Sequence, residues 1–318
     1  MLNPDVDSLV PHVPFDRRTF IKAALGTGFA AAVMPVSAQT IHTDSEGLEA
    51  GEIAVHSGGT LVPAYRVQPK GKTRLPVIIV IHEAFGVHEH IADVCRRFAK
   101  LGYLAIAPNL FVREGDPMAL LTIQQISQRI LNKVPDDQAL VDLDATAAWA
   151  GEHGGDLERL GVTGFCWGGR IAWLYAEHNP QLKAAVAWYG RVAGERTATN
   201  PASPLDRVAD LHAPVLGLYG LQDESIPQAS LEQMKQAIAQ GPQVARGVRN
   251  SLCTTTRATR SLRTTGRATK RPMPRTAGAG RLPGSGSTGW LDAGVSRSRA
   301  RCARFTRCMK KAVAACQR

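Results

Sequence analysis

Leu160-Gly161-Val162-Thr163-Gly164-Phe165-Cys166-Trp167-Gly168-Gly169 is the stretch on which the fold turns. A short apolar run ends in the pattern G-x-C-x-G-G, and from Trp167 to Glu177 the apolar residues recur at helical spacing. The succession is strand, sharp turn, helix. Small residues are needed around the cysteine because a side chain held on a strained turn leaves no room for bulky neighbours. The sulfur then stands at the carboxyl edge of a sheet, beside a helix N-terminus whose dipole favours thiolate. The alternative is a buried structural cysteine in a glycine-rich turn.

Outward from this turn, short apolar runs alternate with longer periodic segments, as in a parallel sheet with crossover helices. Strands are expected over Val62 to Val67, Pro76 to Ile81, Leu104 to Ala107, Leu160 to Phe165, Lys183 to Tyr189 and Pro214 to Tyr219. Helices are expected over Ile91 to Leu101, 118–132, 136–152, Trp167 to Glu177 and Ser230 to Gln240. The fold class is therefore α/β, a doubly wound, mostly parallel sheet with helices on both faces. No internal repeat is present.

Two further segments bring chemistry to the carboxyl edge. Asp223 follows a strand in Tyr219-Gly220-Leu221-Gln222-Asp223, where an acid can orient a histidine and stabilise its protonated form; a turn or cap aspartate is the plainer reading. Ile81-His82-Glu83-Ala84-Phe85-Gly86 follows another strand, and the backbone N–H groups of Ala84 and Trp167 are natural donors for an oxyanion. His82 reads more simply as a satisfied core histidine, and Glu83 as a loop acid.

Together the H-E-A-F-G segment, the G-F-C-W-G-G turn and the later G-L-Q-D resemble the dienelactone hydrolase family of the α/β-hydrolase superfamily, over roughly residues 50–245. The resemblance implies a carboxylic ester or lactone hydrolase of the carboxymethylenebutenolidase type. In it Cys166 would be the nucleophile, Asp223 the triad acid, and Glu83 the carboxylate that helps ionise the thiol. Ala84 and Trp167 would form the oxyanion hole, and Arg113 and Phe85 would contact substrate, Arg113 by holding a carboxylate. The partner expected is a small lactone or ester, with no metal or organic cofactor, and the protein is expected to be a monomer.

One member of that constellation is missing. The triad histidine should follow Asp223 in an H-x-F segment, yet the last of nine histidines is His212. Without an imidazole the cysteine lacks a partner to protonate the leaving group and to activate water. His88 and His90, in the loop after Glu83, stand in the wrong chain order to replace it.

The composition locates the cause. Residues 1–245 hold 20 Lys and Arg against 26 Asp and Glu, whereas residues 246–318 hold 18 against one, so the net charge of +11 belongs to the tail. Beyond Arg246, Thr, Arg, Gly and Pro dominate and no apolar period survives, so 246–318 reads as a low-complexity, disordered basic tail. Shifting the reading frame one base earlier over Asn250 permits E-F-V-V-Y-D-D-A-x-H-A-F-F-A-D-Y-R-P-S-Y, continuing K-K-A-D-A-E-D-G-W. A strand, a histidine over the Thr259 codon and the start of a helix reappear, which points to a frameshift near Arg246 to Arg249. A basic arm for nucleic acid or anionic lipid is the rival reading; the tail has little aromatic interleaving beyond Trp290 and Phe305 and no amphipathic period, so no nucleic-acid partner is expected. Its cysteines lack metal-type spacing.

At the other end, Asp16-Arg17-Arg18-Thr19-Phe20-Ile21-Lys22, the apolar run Ala23 to Val36 and the small site Val36-Ser37-Ala38 resemble a twin-arginine export signal. Residues 1–38 are read as that signal, the twin-arginine machinery as a partner, and the periplasm as the destination. Residues 39–245 are the hydrolase-like domain, truncated at its C-terminal end. Two other readings stand beside an impaired hydrolase: a non-catalytic binding or thiol redox protein on the same fold, and a non-functional pseudogene product.

Overall fold

The computed structural model describes residues 42–220, 223–241 and 251–255. Eight strands form one sheet in the order β1-β2-β4-β3-β5-β6-β7-β8. They are β1 Leu48–Ser57, β2 Thr60–Pro69, β3 Leu75–Ile81, β4 Leu104–Pro108, β5 Gly155–Phe165, β6 Ala184–Trp188, β7 Val215–Gly220 and β8 Ser251–Thr255. The β1–β2 and β2–β4 pairs are antiparallel and all others parallel, so the expected doubly wound sheet is present. The longer helices are α1 Glu89–Lys100, α2 Asp136–Glu152, α3 Trp167–His178 and α4 Gln228–Gln240.

The β-branched run of β3 is central because both its faces are covered. Val77, Ile79 and Ile81 pack with residues of α2, α3 and α4, while Ile78 and Val80 pack against α1. All five are fully buried, each removing apolar surface worth roughly 1.5–3 kcal/mol from water. Asp136 at the start of α2 holds Arg170 of α3 through paired contacts of 2.5 and 2.8 Å, which locks the helix following the cysteine turn.

Three departures from expectation concern elements. The helix anticipated over 118–132 is broken into Pro117–Ala119, Ile123–Ile126 and a wider turn Ser127–Leu131, because Leu120 and Thr122 are extended. Edge strand β1 was not anticipated. The sheet also does not stop at β7: Ser251–Thr255, inside the segment read as a structureless tail, pairs in parallel with β7 from Leu216↔Ser251 to Gly220↔Thr255. The proposed leader, residues 1–38, and the Thr259 codon lie outside the described residues. Among the described residues no helix is long and apolar enough to cross a membrane.

Candidate active site

Cys166 has φ 54°, ψ −115°, a left-handed conformation between β5 and α3 that a side-chain-bearing residue rarely adopts. Its N–H donates to the Trp188 carbonyl at 2.9 Å, and its own carbonyl accepts from Gly169 and Arg170 at 3.0 and 3.2 Å. The flanking glycines are there for approach. A Cβ on Gly164 would strike the backbone of Gly168, one on Gly168 would strike the carbonyls of Ile81 and His82, and one on Gly169 would strike Trp188 and Gly190. The turn is therefore wedged between β3 and β6, and the thiol emerges at the carboxyl edge, partly exposed.

The thiol is not the ready thiolate that a helix N-terminus alone suggests. Burial, reinforced by the negative charges of Glu83 and Asp223, pushes it up to about 12, against smaller opposing help from the Trp167 N–H and the Arg191 charge. Desolvation, joined by repulsion from the two carboxylates, wins over the dipole. The resting sulfur is thus protonated, with both expected acids acting on it.

Glu83 is buried, and its Oε1 lies 3.2 Å from His90 Nδ1. Burial alone would raise this carboxyl, but the His90 hydrogen bond, with the electrostatic influence of the neighbouring imidazoles His88, His90 and His82, outweighs it and leaves Glu83 below its ordinary value. His82 has the plainer role: its Nε2 accepts from Leu110 N–H at 3.1 Å, so Nδ1 carries the proton to the Glu83 carbonyl at 2.8 Å. Burial holds it down to about 4, neutral and spent. Its ring stacks on Trp167 and meets Phe111 edge-on, fixing the first residue of α3. The Ala84 N–H donates to no acceptor among the described residues.

Asp223 makes the turn contacts of the plainer reading. Its Oδ1 accepts from Ser225 N–H and Oγ at 3.0 and 2.5 Å, an Asx turn, while Oδ2 has no described donor. Arg113 departs from the expected substrate role: Nη1 and Nη2 bind the fully buried Asp142 at 2.7 and 3.0 Å, Nε donates to Thr60, and Nη2 also reaches the Ser57 carbonyl. A guanidinium committed to a buried carboxylate in the interior is not available to another. Phe85 lies against His88, ring centroids 6.2 Å apart.

Two residues here carried no recognisable signal. Tyr189 holds φ 40°, and its phenol, raised well above the ordinary range by burial, also answers to Glu83, Cys166 and Asp223, so it lies among all three. Arg191 is exposed, has no ion pair among the described residues, and its charge reaches the thiol. The only hint was Gly190, whose backbone packs on Gly169.

The family model of the dienelactone hydrolase family matches residues 62–245. A protein named "Putative carboxymethylenebutenolidase" from Methylorubrum extorquens is 54% identical over 235 residues, 73% of this chain and 81% of its own length. Its namesake from Escherichia coli K12 is 54% identical over 213 residues, 67% of this chain and 79% of that one. A solved structure, "Crystal Structure of Putative Dienelactone Hydrolase" from Klebsiella pneumoniae, is 56% identical, covers 60% of this chain and 80% of its own, and superposes with a TM-score of 0.59.

Proposed function

Because this chain belongs to the dienelactone hydrolase family, we propose that its Cys166 sulfur attacks the carbonyl of a lactone or small ester and carries the acyl group as a thioester. By resemblance the protein is a lactone or ester hydrolase. The observation that carries the finer reading is Cys166 at φ 54° on the elbow, with Glu83, Asp223 and the Trp167 amide all acting on its sulfur. Glu83 takes the thiol proton as the S–C bond forms. The amides of Trp167 and Ala84 receive the carbonyl oxygen's developing charge, and as the C–O bond breaks the leaving oxygen takes the proton back from Glu83.

Deacylation is where this chain is impaired. Water must be activated, and the carboxylate of Asp223 has no imidazole to orient. His212, the last histidine, donates its N–H to the Ala176 carbonyl, near the far end of α3 from Cys166, roughly 14 Å along the helix axis. The cause we propose is the reading-frame slip near Arg246 to Arg249. Three observations support it: the family match ends at residue 245, β8 occupies the codons over which the shifted frame reads a strand, and a parallel β8 ends on the same edge as Asp223, four residues before the Thr259 codon. The N-terminal sequence further supports folded export to the periplasm.

A thiol redox role is disfavoured, because a sensor cysteine needs a depressed pKa and this one is pushed up. The test is release of p-nitrophenol from p-nitrophenyl acetate by the full chain. A Cys166-dependent first turnover, lost in Cys166→Ser and followed by slow steady state, is expected. Release that survives Cys166→Ser unchanged would overturn the reading.

A further inference from the structure

His88 caps α1 in an extended conformation, φ −118° and ψ 179°, so the first turn of the helix swings His90 back over the loop that follows β3. There the His90 ring meets Phe165, the residue before Cys166, edge-on at 5.6 Å, and Nδ1 lies 3.2 Å from Glu83 Oε1. The imidazole thus touches both structures that flank the thiol, the carboxylate and the strand end. Its other side is open, the side chain being 42% exposed, so it exchanges protons with solvent while Glu83 does not. His82 has both ring nitrogens committed, and His88 stands 6.0 Å from His90, ring to ring.

We propose that His90 is the positioning residue of this site, a proton-controlled latch that decides whether the Glu83 carboxylate is free to take the Cys166 proton. This rests on the reading of Cys166 as nucleophile with Glu83 as its proton acceptor. Protonated, His90 donates a charged hydrogen bond that holds Glu83 ionised and poorly basic. Once His90 has lost its proton to solvent, that hold is gone and Glu83 is the stronger base. The S–H bond then breaks, an O–H bond forms on Glu83, and the sulfur keeps the electron pair. An imidazolium also favours thiolate, but it bonds Glu83 directly and reaches the sulfur only across it, so its effect on the carboxylate dominates.

The groups that face His90 set where the latch opens. Glu83 lies across the loop, Asp93 and Arg97 follow on α1, His88 precedes it, and Phe165 of β5 brings no charge. Burial and Arg97 pull the imidazole down, but the Glu83 hydrogen bond and the Glu83 and Asp93 charges prevail and raise it. Release therefore falls above the ordinary histidine value.

The experiment is alkylation of Cys166 by iodoacetamide on the full chain, followed peptide by peptide, from about pH 5.5 to 8.5. Wild type should show a rise through an inflection above the ordinary histidine value. His90→Gln should lose that inflection and react about three- to tenfold faster than wild type at the acid end, and His90→Lys, with a fixed charge, should stay slow across the range. Glu83→Gln should be slow throughout. If Glu83→Gln reacts like wild type or faster, as it would were Glu83 only a charge that holds the thiol protonated, the underlying assignment of Glu83 fails. If Glu83→Gln is slow while His90→Gln or His90→Lys keeps the wild-type profile, only the latch fails. A wild-type profile without the inflection overturns it as well.

Discussion

A thiol pushed up to about 12 is ionised at neutral pH to only about one part in 10^5. On the proposed reading, any reactivity of Cys166 comes from a base acting at the moment of attack, the role given to Glu83. Elsewhere a second buried acid works against stability. Glu177 of α3 is 1% exposed, neither carboxyl oxygen has a hydrogen-bond partner among the described residues, and burial raises it from 4.5 to about 9. Its proton is bound more tightly folded than unfolded, so its contribution is intact below about 4.5 and is lost progressively as pH climbs toward about 9. Glu177→Gln is expected to stabilise the domain by on the order of 3 kcal/mol at pH 8 and by less than about 1 kcal/mol at pH 5, read from denaturant melts. Equal effects at both pH values would show that the carboxyl ionises in the fold. Arg113 is the converse case, since Arg113→Ala leaves the buried Asp142 carboxyl without its ion-pair partner and should cost about 3–5 kcal/mol. Its KM for an anionic ester should change no more than for a neutral one; a selective loss of the anionic substrate would restore the role first expected for Arg113.

The cysteine turn is the element that the sequence declared most openly, because its glycines answer to backbone contacts and nothing else satisfies them. Gly168→Ala would set a methyl within 2.6 Å of the Ile81 carbonyl and closer still to that of His82, levering α3 off β3. A loss of about 3 kcal/mol or more is expected, lowering the melting temperature by roughly 6–12 °C. An unchanged melt would mean that the turn relaxes freely. Strands β3 to β7 were legible for a related reason: burial on both faces demands a continuous apolar run, which no other element of that length shows. Edge strand β1 was missed because one side faces solvent and Gly51 and two glutamates interrupt it. The helix over 118–132 misled because its spacing is helical while Leu120 and Thr122 are held extended by local caps. Strand β8 was missed because its residues, Ser-Leu-Cys-Thr-Thr, carry no pattern; its place is set by the open edge of β7.

At the scale of the molecule, the two faces of the sheet are unequally covered. The face packed by α2, α3 and α4 is closed, whereas on the other the described helix is α1 alone, and Leu216, Leu218 and Trp188 are only half-buried. A chain with its frame restored after Arg249 should cover that apolar strip, bind less of a hydrophobic dye such as ANS, and melt at a higher temperature; equal dye binding and equal melts would contradict the slip. The site shows the same limit on what a sequence discloses. Cys166, Glu83 and Asp223 could be singled out because each follows a strand within a recognisable pattern. Tyr189 and Arg191 were not, and His90 was set aside on chain order, because their places near the thiol arise from how β6 and the first turn of α1 fold back onto the cysteine turn. The measurement that tests the account most directly is mass spectrometry of the full chain during reaction with p-nitrophenyl acetate. The account predicts one acetyl group accumulating on the Cys166 peptide and persisting for many times the acylation period; rapid turnover with no acyl group on Cys166 would contradict it.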